Sequence, residues 1–495
     1  MIKQEAKYRI LLVLLIGTIG LFSACKKHIS VTPDQSSRSD ADLLKDSIYY
    51  YYSLYSLWGE MINPDINMDY AFIDAYSSAA DLLNALKGKT PYYPSYQGGI
   101  DRFSYLENIE ASGLRAEAGT NPGQGYGLYI SIGAVTEEVA YPVIYFVEGG
   151  SPADQAGLKR SDIIVSIGEG VDLSIPVSCT TGNCQVEDDS QYQAVLNTLL
   201  DAMDAPGMHL KVQGNDGSVR DVDLFSQPYE INPIVADRVF IYPEKKIGYL
   251  ALSSFEDIAG ESAFKTNLDQ RFHDFEQASV GDMILDLRYN TGGYVDAAAY
   301  LANKLINAAG EDALMFRYQV NTYLSSHPET LGYAFDDVYF QRSNNLQLNT
   351  VYILVTDITA SASELLINVL RPYMHVVMIA EHAGTFGKPV GFFKQDIMGK
   401  TALWAASFKL VNARGDTDYW DGIGADIRNV PDYIFKDFGD PEESMIAAAI
   451  RRARYGNTSV RSIGPTSASV SGKLKIQMVN KLPVGMMLKG GINDI

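Results

Sequence analysis

The alternation of short apolar runs with longer amphipathic segments after residue 231 constrains the fold more than any other feature of the sequence. Residues 283–287 and 351–355 are almost continuously apolar, as is typical of strands that a sheet buries on both faces. Amphipathic helices are predicted between such runs, over residues 263–275, 295–307 and 362–374. Strands and helices in alternation predict an α/β domain over residues 229–455.

Two segments of this domain run from a predicted strand into a turn that exposes backbone N–H groups. Residues 285–293 (LDLRYNTGG) end in Gly292 and Gly293, whose amides suit a developing oxyanion. Residues 359–364 (TASASE) place serines at a helix start, where the dipole and free amides favour negative charge beside a hydroxyl. Each signal alone is weak, because Gly-Gly turns are common and serines at helix starts are usually N-caps.

A third segment, residues 385–388 (TFGK), places Lys388 on a glycine turn. Burial there would lower the pKa of the lysine, and a neutral amine can take the proton of a serine hydroxyl. The alternative is an ordinary solvated surface charge. A phosphate-binding loop is excluded, because Pro389 stands where that motif needs Ser or Thr.

Residues 119–228 consist of short β-rich runs broken by glycines. The order of residues 151–158 (SPADQAGL), then Asp162 and the apolar run 163–167, resembles a PDZ domain. That resemblance implies a helix over residues 192–203 and a closing hairpin of residues 209–213 and 219–224. It also implies that the loop Gly125-Tyr126-Gly127-Leu128 holds the carboxylate of a peptide that adds to the sheet edge as a strand. The alternative is a structural spacer with a closed groove.

The N-terminus has the pattern of an export signal. Three basic residues precede an apolar run over residues 10–22, which is too short to cross a bilayer comfortably because about 20 residues are needed. Residues 21–25 (LFSAC) resemble a bacterial lipobox in which Cys25 becomes the lipidated first residue, with Phe22 in place of the usual Leu. The alternative is a signal peptide that contains a cysteine by chance.

We therefore expect a signal peptide over residues 1–24, then a polar tether over residues 25–42. The predicted product is a cell-envelope lipoprotein, held to the membrane by its lipid and facing the periplasm. A small helical domain rich in aromatic residues is predicted over residues 43–118. Residues 456–495 are predicted to form a weakly ordered tail. The formal charge of −20 argues against a nucleic-acid partner.

Cys179 and Cys184 flank a turn-forming Thr-Thr-Gly-Asn stretch. In an exported protein this spacing predicts a disulfide that closes a small loop. A metal site is disfavoured, because two sulfurs without a nearby His form an incomplete ligand set.

The three segments LDLRYNTGG, TASASE and TFGK, in this order after a PDZ-like region, resemble the S41 family of carboxyl-terminal processing peptidases. The later DGIGAD over residues 421–426 is similar to the closing G-I-x-P-D element, with Ala425 in place of Pro. The resemblance covers about residues 45–455. It implies a ClpP/crotonase-like catalytic domain of ββα units joined to a PDZ domain, and the helical spacing of apolar residues predicts the small helical N-terminal domain before them.

The same resemblance assigns roles by position. Ser363, immediately before Glu364, corresponds to the nucleophile, and Lys388 corresponds to its general base. Gly292 and Gly293 correspond to the oxyanion region, with a backbone amide near Ser363 as a second donor. No metal or organic cofactor is implied. The implied activity is serine endopeptidase cleavage of polypeptides captured by their C-termini.

One departure bears on activity. Many family members have a Gln four residues after the lysine, which orients its amine, and here that residue is Phe392. Gln395 would serve only if the strand register differs, and His375 or His382 would be alternative bases, as some relatives use a histidine. Without the orienting Gln, a second hypothesis is a catalytically impaired peptide-binding or scaffolding lipoprotein on the same fold. An acyl-CoA enzyme shares the architecture but does not match the Ser/Lys site.

Overall fold

The computed structural model describes residues 38–108, 123–180, 183–332, 335–456 and 476–477. The predictions for the signal peptide, for lipidation at Cys25 and for most of the tether lie outside the described residues. Among the described residues, no helix is long and apolar enough to cross a membrane.

The N-terminal segment, residues 38–108, begins with four helices: α1 Asp40–Tyr55, α2 Gly59–Ile62, α3 Tyr70–Ile73 and α4 Ala79–Gly88. Helix α1 starts inside the predicted tether, because the Ser39 side chain accepts the Asp42 N–H while Asp42 bonds back to Ser39 in a capping box. Three short strands follow: β1 Tyr92–Tyr93, β2 Gly98–Gly99 and β3 Tyr105–Asn108.

This segment, which the sequence predicts to be a small helical domain, packs against residues of the C-terminal half. Apolar side chains of α1 and α4 share one core with Leu324, Ile397, Leu403 and Ala405, which lie more than 200 residues later in the chain. Strand β3 also pairs with a strand of the C-terminal half, in the register Tyr105↔Trp404. The physical reason is the small size of the helical stretch, which completes its core only against that sheet.

The middle unit, residues 123–180 and 183–229, is mainly β-structure. Its strands are β4 Gly123–Gly125, β5 Leu128–Ala134, β6 Val139–Val147, β7 Ile163–Ile167, β8 Val171–Asp172, β9 Ile175–Thr180, β10 Asn183–Val186, β11 Gly207–Gln213, β12 Val219–Phe225 and β13 Gln227–Tyr229. Its helices are α5 Pro152–Gln155 and α6 Asp189–Asp204. The predicted helix and closing hairpin are confirmed, since β11 and β12 pair antiparallel along their whole length.

Strand β5 is the outermost long strand of the sheet of the middle unit. It pairs with β6 on one side, and on the other with β23 Ile476–Gln477 in the register Ile476↔Ala134. These two residues of the predicted weakly ordered tail therefore form a strand, and of the rest of that tail only Gly456 lies within the described residues. Helix α6 packs onto the same core through Val195 and Leu199.

The third part of the chain contains two five-stranded sheets. Its strands are β14 Ile234–Ile241, β15 Lys246–Leu252, β16 Asp282–Asp286, β17 Leu314–Val320, β18 Val338–Tyr339, β19 Thr350–Val355, β20 His375–Ala380, β21 Val390–Ile397 and β22 Thr401–Val411. The main sheet has the order β14-β15-β16-β19-β20, in which the last four strands run parallel. The second sheet has the order β18-β17-β22-β21, with β3 joined to β22.

The helices of this part are α7 Ala263–Gln277, α8 Val295–Leu305, α9 Thr322–Ser326, α10 Ala362–Leu370 and α11 Ser444–Tyr455. All except α9, which packs with the N-terminal helices, cover the two faces of the main sheet. Helices α7, α8 and α10 share a core with one face, and α11 packs on the other through Ile446 and Ala449. The α/β prediction is confirmed. Helix α10 ends four residues earlier than predicted, because Pro372 has no N–H to donate to the carbonyl of Asn368.

Candidate active site

The parallel pairing of β16 with β19 brings two of the predicted segments to the same edge of the main sheet. The hydroxyl of Thr359 donates to the carbonyl of Leu287 at 2.8 Å, and the hydroxyl of Thr356 donates to the carbonyl of Arg288. These bonds fasten the loop before α10 to the loop that follows β16. The loop that carries Gly292 and Gly293 therefore lies against the start of α10, where Ser363 is located.

Ser363 lies in the first turn of α10 and is fully buried. Its Oγ donates to the backbone carbonyl of Asn290 at 3.1 Å. Ser361, the residue that caps this helix, has a left-handed φ of 56°, which is unusual for a residue with a side chain. Such a sharp turn between a strand and a helix is a backbone conformation found at functional sites.

Gly292 and Gly293 form the turn beside Ser363 with φ angles of 121° and 130°. A Cβ on Gly293 would lie 2.2 Å from the carbonyl oxygen of Phe255, and one on Gly292 would lie 2.7 Å from Cβ of Ser361. Only glycine fits both positions. The Gly292 N–H donates to Oδ1 of Asn290 at 2.9 Å, whereas the Gly293 N–H has no hydrogen bond within the described part of the chain. Gly293 is thus the amide available to a bound oxygen.

Lys388 lies on the turn before β21 and is 4% exposed. Burial lowers the pKa of Lys388 to about 7, although the negative charge of Glu364 opposes the shift. Its Nζ lies 4.6 Å from the centre of the Phe392 ring. Among the hydrogen bonds of the described residues, none joins Nζ to Ser363, whose hydroxyl is bonded to Asn290 instead. Catalytic hydrogen bonds are often formed only when substrate is bound, so this arrangement is compatible with a later Ser/Lys contact.

Glu364 joins the serine helix to the lysine turn. Its buried carboxylate accepts the hydroxyl of Thr385 and the N–H of Gly387 through Oε1, and the N–H groups of Lys388 and Ser361 through Oε2. Burial raises the pKa of Glu364, while the four donated hydrogen bonds act in the opposite direction. One carboxylate thus fixes the backbone on both sides of the site, a role that sequence reasoning did not assign.

A buried ionic cluster lies at the residues that lead into the glycine loop. Arg288 binds Asp286 at 2.6 Å, Asp432 at 2.7 Å and Glu443 at 3.1 Å, and all four side chains are at most 1% exposed. Asp432 also forms a salt bridge of 2.6 Å with Arg160 of the middle unit. Buried charges need such multiple partners, because each charge loses its hydration on burial. The cluster links the middle unit to the segment that precedes Asn290.

The alternative residues weighed from the sequence have partners other than Ser363 and Lys388. His382 is exposed, and its Nε2 lies 4.0 Å from a carboxylate oxygen of Asp357, whereas Nδ1 of His375 lies 3.1 Å from the hydroxyl oxygen of Thr350. Gln395 lies on the same face of β21 as Phe393, opposite to the face of Phe392. Its side chain donates to the backbone carbonyl of Asp396. None of the three contacts the candidate nucleophile among the hydrogen bonds of the described residues.

The remaining predicted residues lie in the middle unit. Gly125 and Gly127 have left-handed φ angles of 100° and 64°, in a loop that leads into β5. The Tyr126 hydroxyl bonds the Ala205 carbonyl just after α6, and Leu128 is the first residue of β5. Cys179 and Cys184 are joined in a disulfide between the paired strands β9 and β10.

The sequence matches the model of Peptidase family S41 over residues 246–428. A carboxyl-terminal-processing protease of Synechocystis is 27% identical over 289 residues, which cover 58% of this chain and 58% of that protein. The chloroplastic carboxyl-terminal-processing peptidase 3 of Arabidopsis thaliana is 26% identical over 270 residues, which cover 54% of this chain and 45% of that protein. The chain thus spans about half the length of the curated relatives it matches.

A crystal structure assigned to an S41 protease from Bacteroides fragilis has a TM-score of 0.61 and 23% identity to this chain. The match covers 82% of this chain and 96% of that chain. This similarity concerns the fold, and it agrees with the predicted α/β architecture with a ClpP-like domain. All three predicted site segments fall within the residues that match the family model.

Proposed function

We propose that this chain, in which residues 246–428 form a peptidase family S41 domain, is a serine endopeptidase with Ser363 as nucleophile and Lys388 as general base. The observation that carries the proposal is the link through Glu364, which holds the helix of Ser363 and the turn of Lys388 together. A lysine with a pKa lowered to about 7 by burial is able to act as a base near neutral pH.

The proposed first step forms a bond between Ser363 Oγ and the carbonyl carbon of the peptide bond. The hydroxyl proton passes to the neutral Nζ of Lys388, and the carbonyl electron pair moves to the oxygen. The free N–H of Gly293 and a backbone amide near Ser363 are the proposed donors to that oxyanion. For this step the Ser363 hydroxyl exchanges its bond to the Asn290 carbonyl for one to Lys388.

Collapse of the tetrahedral intermediate breaks the C–N bond. The leaving amine takes the proton from the Lys388 ammonium, and an acyl ester remains on Ser363. Water then attacks the ester carbon, with Lys388 again accepting and returning a proton, and the second product leaves as a carboxylic acid. Every step uses residues of the described site, so the proposal needs no metal or organic cofactor.

We further propose that the middle unit is a PDZ-like module that captures polypeptide C-termini. The loop Gly125-Tyr126-Gly127-Leu128 would bind the terminal carboxylate, and the captured chain would pair with the edge of β5. The left-handed glycines of this loop support the proposal, and so does β5, whose residues 128–132 have no strand on the side away from β6 among the described residues. The N-terminal lipobox supports export and anchoring at the membrane through Cys25, facing the periplasm.

The test incubates the protein lacking residues 1–25 with casein, beside the variants Ser363→Ala and Lys388→Ala. We expect fragments only from the unmodified sequence, with all three proteins equally folded by circular dichroism. Equal cleavage by Ser363→Ala would contradict the nucleophile assignment. If none of the three cleaves, the impaired peptide-binding lipoprotein becomes the better hypothesis. The absence of a Ser363–Lys388 hydrogen bond among the described residues is the observation that favours this second candidate.

A further inference from the structure

The ring of Phe392 is the group that faces the amine of Lys388. Nζ lies 4.6 Å from the ring centre, a distance at which a cation is attracted to the face of an aromatic ring. The pairing of β21 with β22 shifts register between Gly391 and Phe392. After this point the side chains of Phe392 and Phe393 lie on opposite faces of β21. Phe393 therefore packs against the core that includes the N-terminal helices, and Phe392 packs in a different cluster.

The Phe392 ring is held in a fixed orientation by two other aromatic side chains. Tyr105 and Trp404 meet it at interplanar angles of 86° and 88°, with ring centres at 5.9 and 6.4 Å. Tyr105 and Trp404 are themselves stacked at 5.8 Å, and the Trp404 indole N–H donates to Glu107 at 2.9 Å. Tyr105 belongs to β3, outside residues 246–428, so the N-terminal segment contributes to this environment.

A benzene ring differs from an amide or carboxylate in what it offers the amine. It has no acceptor oxygen, so it leaves the lone pair of a neutral amine free, and its apolar body excludes water. Its face attracts the ammonium more strongly than the neutral amine, because the attraction arises from positive charge over the ring quadrupole. The ring therefore favours the charged product of proton transfer from serine to lysine.

We propose that Phe392 is a positioning residue, which holds Lys388 Nζ against its ring face and stabilises the ammonium that forms when the amine accepts the Ser363 proton. This inference rests on the proposed function, since it presumes that Lys388 is the base. In this proposal the Phe392 ring orients the Lys388 amine although it offers no hydrogen-bond acceptor.

Other charged and titratable groups surround the amine and must remain unchanged in a test. Glu364 acts on Lys388 directly, and Tyr419 lies close enough to interact with Glu364. Arg102 donates to the carbonyl of Gly387 at 3.2 Å on the same turn. The Nζ of Lys394 lies 5.7 Å from the centre of the Trp404 indole ring, and Glu107 accepts the hydrogen bond of the indole N–H. A substitution of Phe392 by another uncharged residue alters none of these charges.

The experiment compares Phe392→Leu with Phe393→Leu as a matched control on the opposite face of the same strand. Titration of Lys388 is followed by NMR in protein labelled with ¹³C at lysine Cε, with the signal assigned by its absence in Lys388→Ala. We expect the Lys388 titration in Phe392→Leu to move to lower pH by roughly 0.5–1 unit, because the ring no longer favours the ammonium. The control variant should leave the titration unchanged.

Kinetics on casein provide the second measurement. We expect kcat of Phe392→Leu to fall about 10-fold with KM unchanged, and Phe392→Tyr, which keeps the ring, to retain near-normal values. An unchanged titration in folded Phe392→Leu would overturn the proposal, as would an equal shift in Phe393→Leu. If Phe392→Leu fails to fold, Phe392→Met serves as the ring-free variant. Because the titration requires no turnover, an inactive unmodified protein would contradict the proposed function without deciding the role of Phe392.

Discussion

The backbone N–H of Lys388 donates to Glu364 Oε2 at 2.8 Å, so the residue that follows the candidate nucleophile fixes the candidate base. The same oxygen accepts the N–H of Ser361, two residues before that nucleophile. Positions 361, 364 and 388 are therefore coupled through one carboxylate oxygen. A displacement of the serine helix would displace the lysine turn with it, which keeps the two reacting side chains in a constant relationship.

The first prediction concerns the pH dependence of cleavage. The amine of Lys388 must be neutral to accept a proton, and burial lowers its pKa from 10.5 to about 7. We therefore expect kcat/KM on casein to rise with pH through about 7 and to fall as pH decreases below it, because the ammonium has no lone pair. A profile already flat from pH 5 upward would contradict Lys388 as the base.

The second prediction concerns the charge of Glu364. Glu364→Gln replaces one acceptor oxygen by an NH₂ group that faces N–H donors, so we expect the free energy of unfolding to decrease by about 2–4 kcal/mol. The lost negative charge no longer favours the Lys388 ammonium, so the acid limb of kcat/KM should move to lower pH. Urea unfolding and the pH profile measure the two effects.

Thr385→Ser is the control for the Glu364 substitution. It keeps the hydroxyl that donates to Oε1 of Glu364 and leaves the charge of the carboxylate unchanged. We expect the acid limb of this variant to match that of the unmodified protein. A limb that moves to higher pH in Glu364→Gln would show that the carboxylate does not stabilise the ammonium.

The site segments could be predicted only from their joint resemblance to one family, because a Gly-Gly turn or a serine at a helix start is a weak signal alone. The close contacts that require glycine at positions 292 and 293 involve Ser361 and Phe255, which are distant in the sequence and were not predictable. The contribution of Tyr105 was not predictable, because it depends on the pairing of β3 with β22 across about 300 residues. The partners of Asp432 were hidden for the same reason, since a lone aspartate resembles a solvated charge until the fold buries it.

The third prediction concerns the junction between the middle unit and the main sheet. Asp432 is fully buried and accepts Arg160 at 2.6 Å and Arg288 at 2.7 Å. Asp432→Asn would leave two buried guanidinium groups without their shared negative charge, so we expect a loss of about 3–5 kcal/mol in the free energy of unfolding. Urea unfolding followed by tryptophan fluorescence and by circular dichroism measures it.

Asp337→Asn is the matched control for that junction. Asp337 pairs with Arg317 at 3.0 Å, but the Arg317 side chain is 61% exposed, so the pair is solvated. We expect its loss to change stability by less than about 1 kcal/mol. Similar losses in the two variants would mean that burial does not distinguish the two ion pairs.

The last prediction concerns Asn290, which holds the glycine loop. Its Oδ1 accepts the Gly292 N–H, while its buried Nδ2 has no hydrogen-bond partner among the described residues. An unpaired buried amide is unfavourable by about 1–3 kcal/mol, so stability alone does not account for an asparagine here. We infer that its contribution lies in orienting the loop, because it occupies the Gly292 N–H and leaves the Gly293 N–H for the proposed oxyanion.

We therefore expect Asn290→Ala to lower kcat on casein by about 10–100-fold with little change in KM, since a displaced oxyanion donor weakens binding of the transition state alone. Thermal stability should change little, because the lost hydrogen bond is offset by removal of the unpaired Nδ2 group. Asn307→Ala is the control: Asn307 caps the Ala309 N–H at 3.0 Å in the same manner, at the turn after α8. An unchanged kcat in a folded Asn290→Ala protein would refute this role, because catalysis would then not depend on the hydrogen bond between Asn290 and the Gly292 N–H.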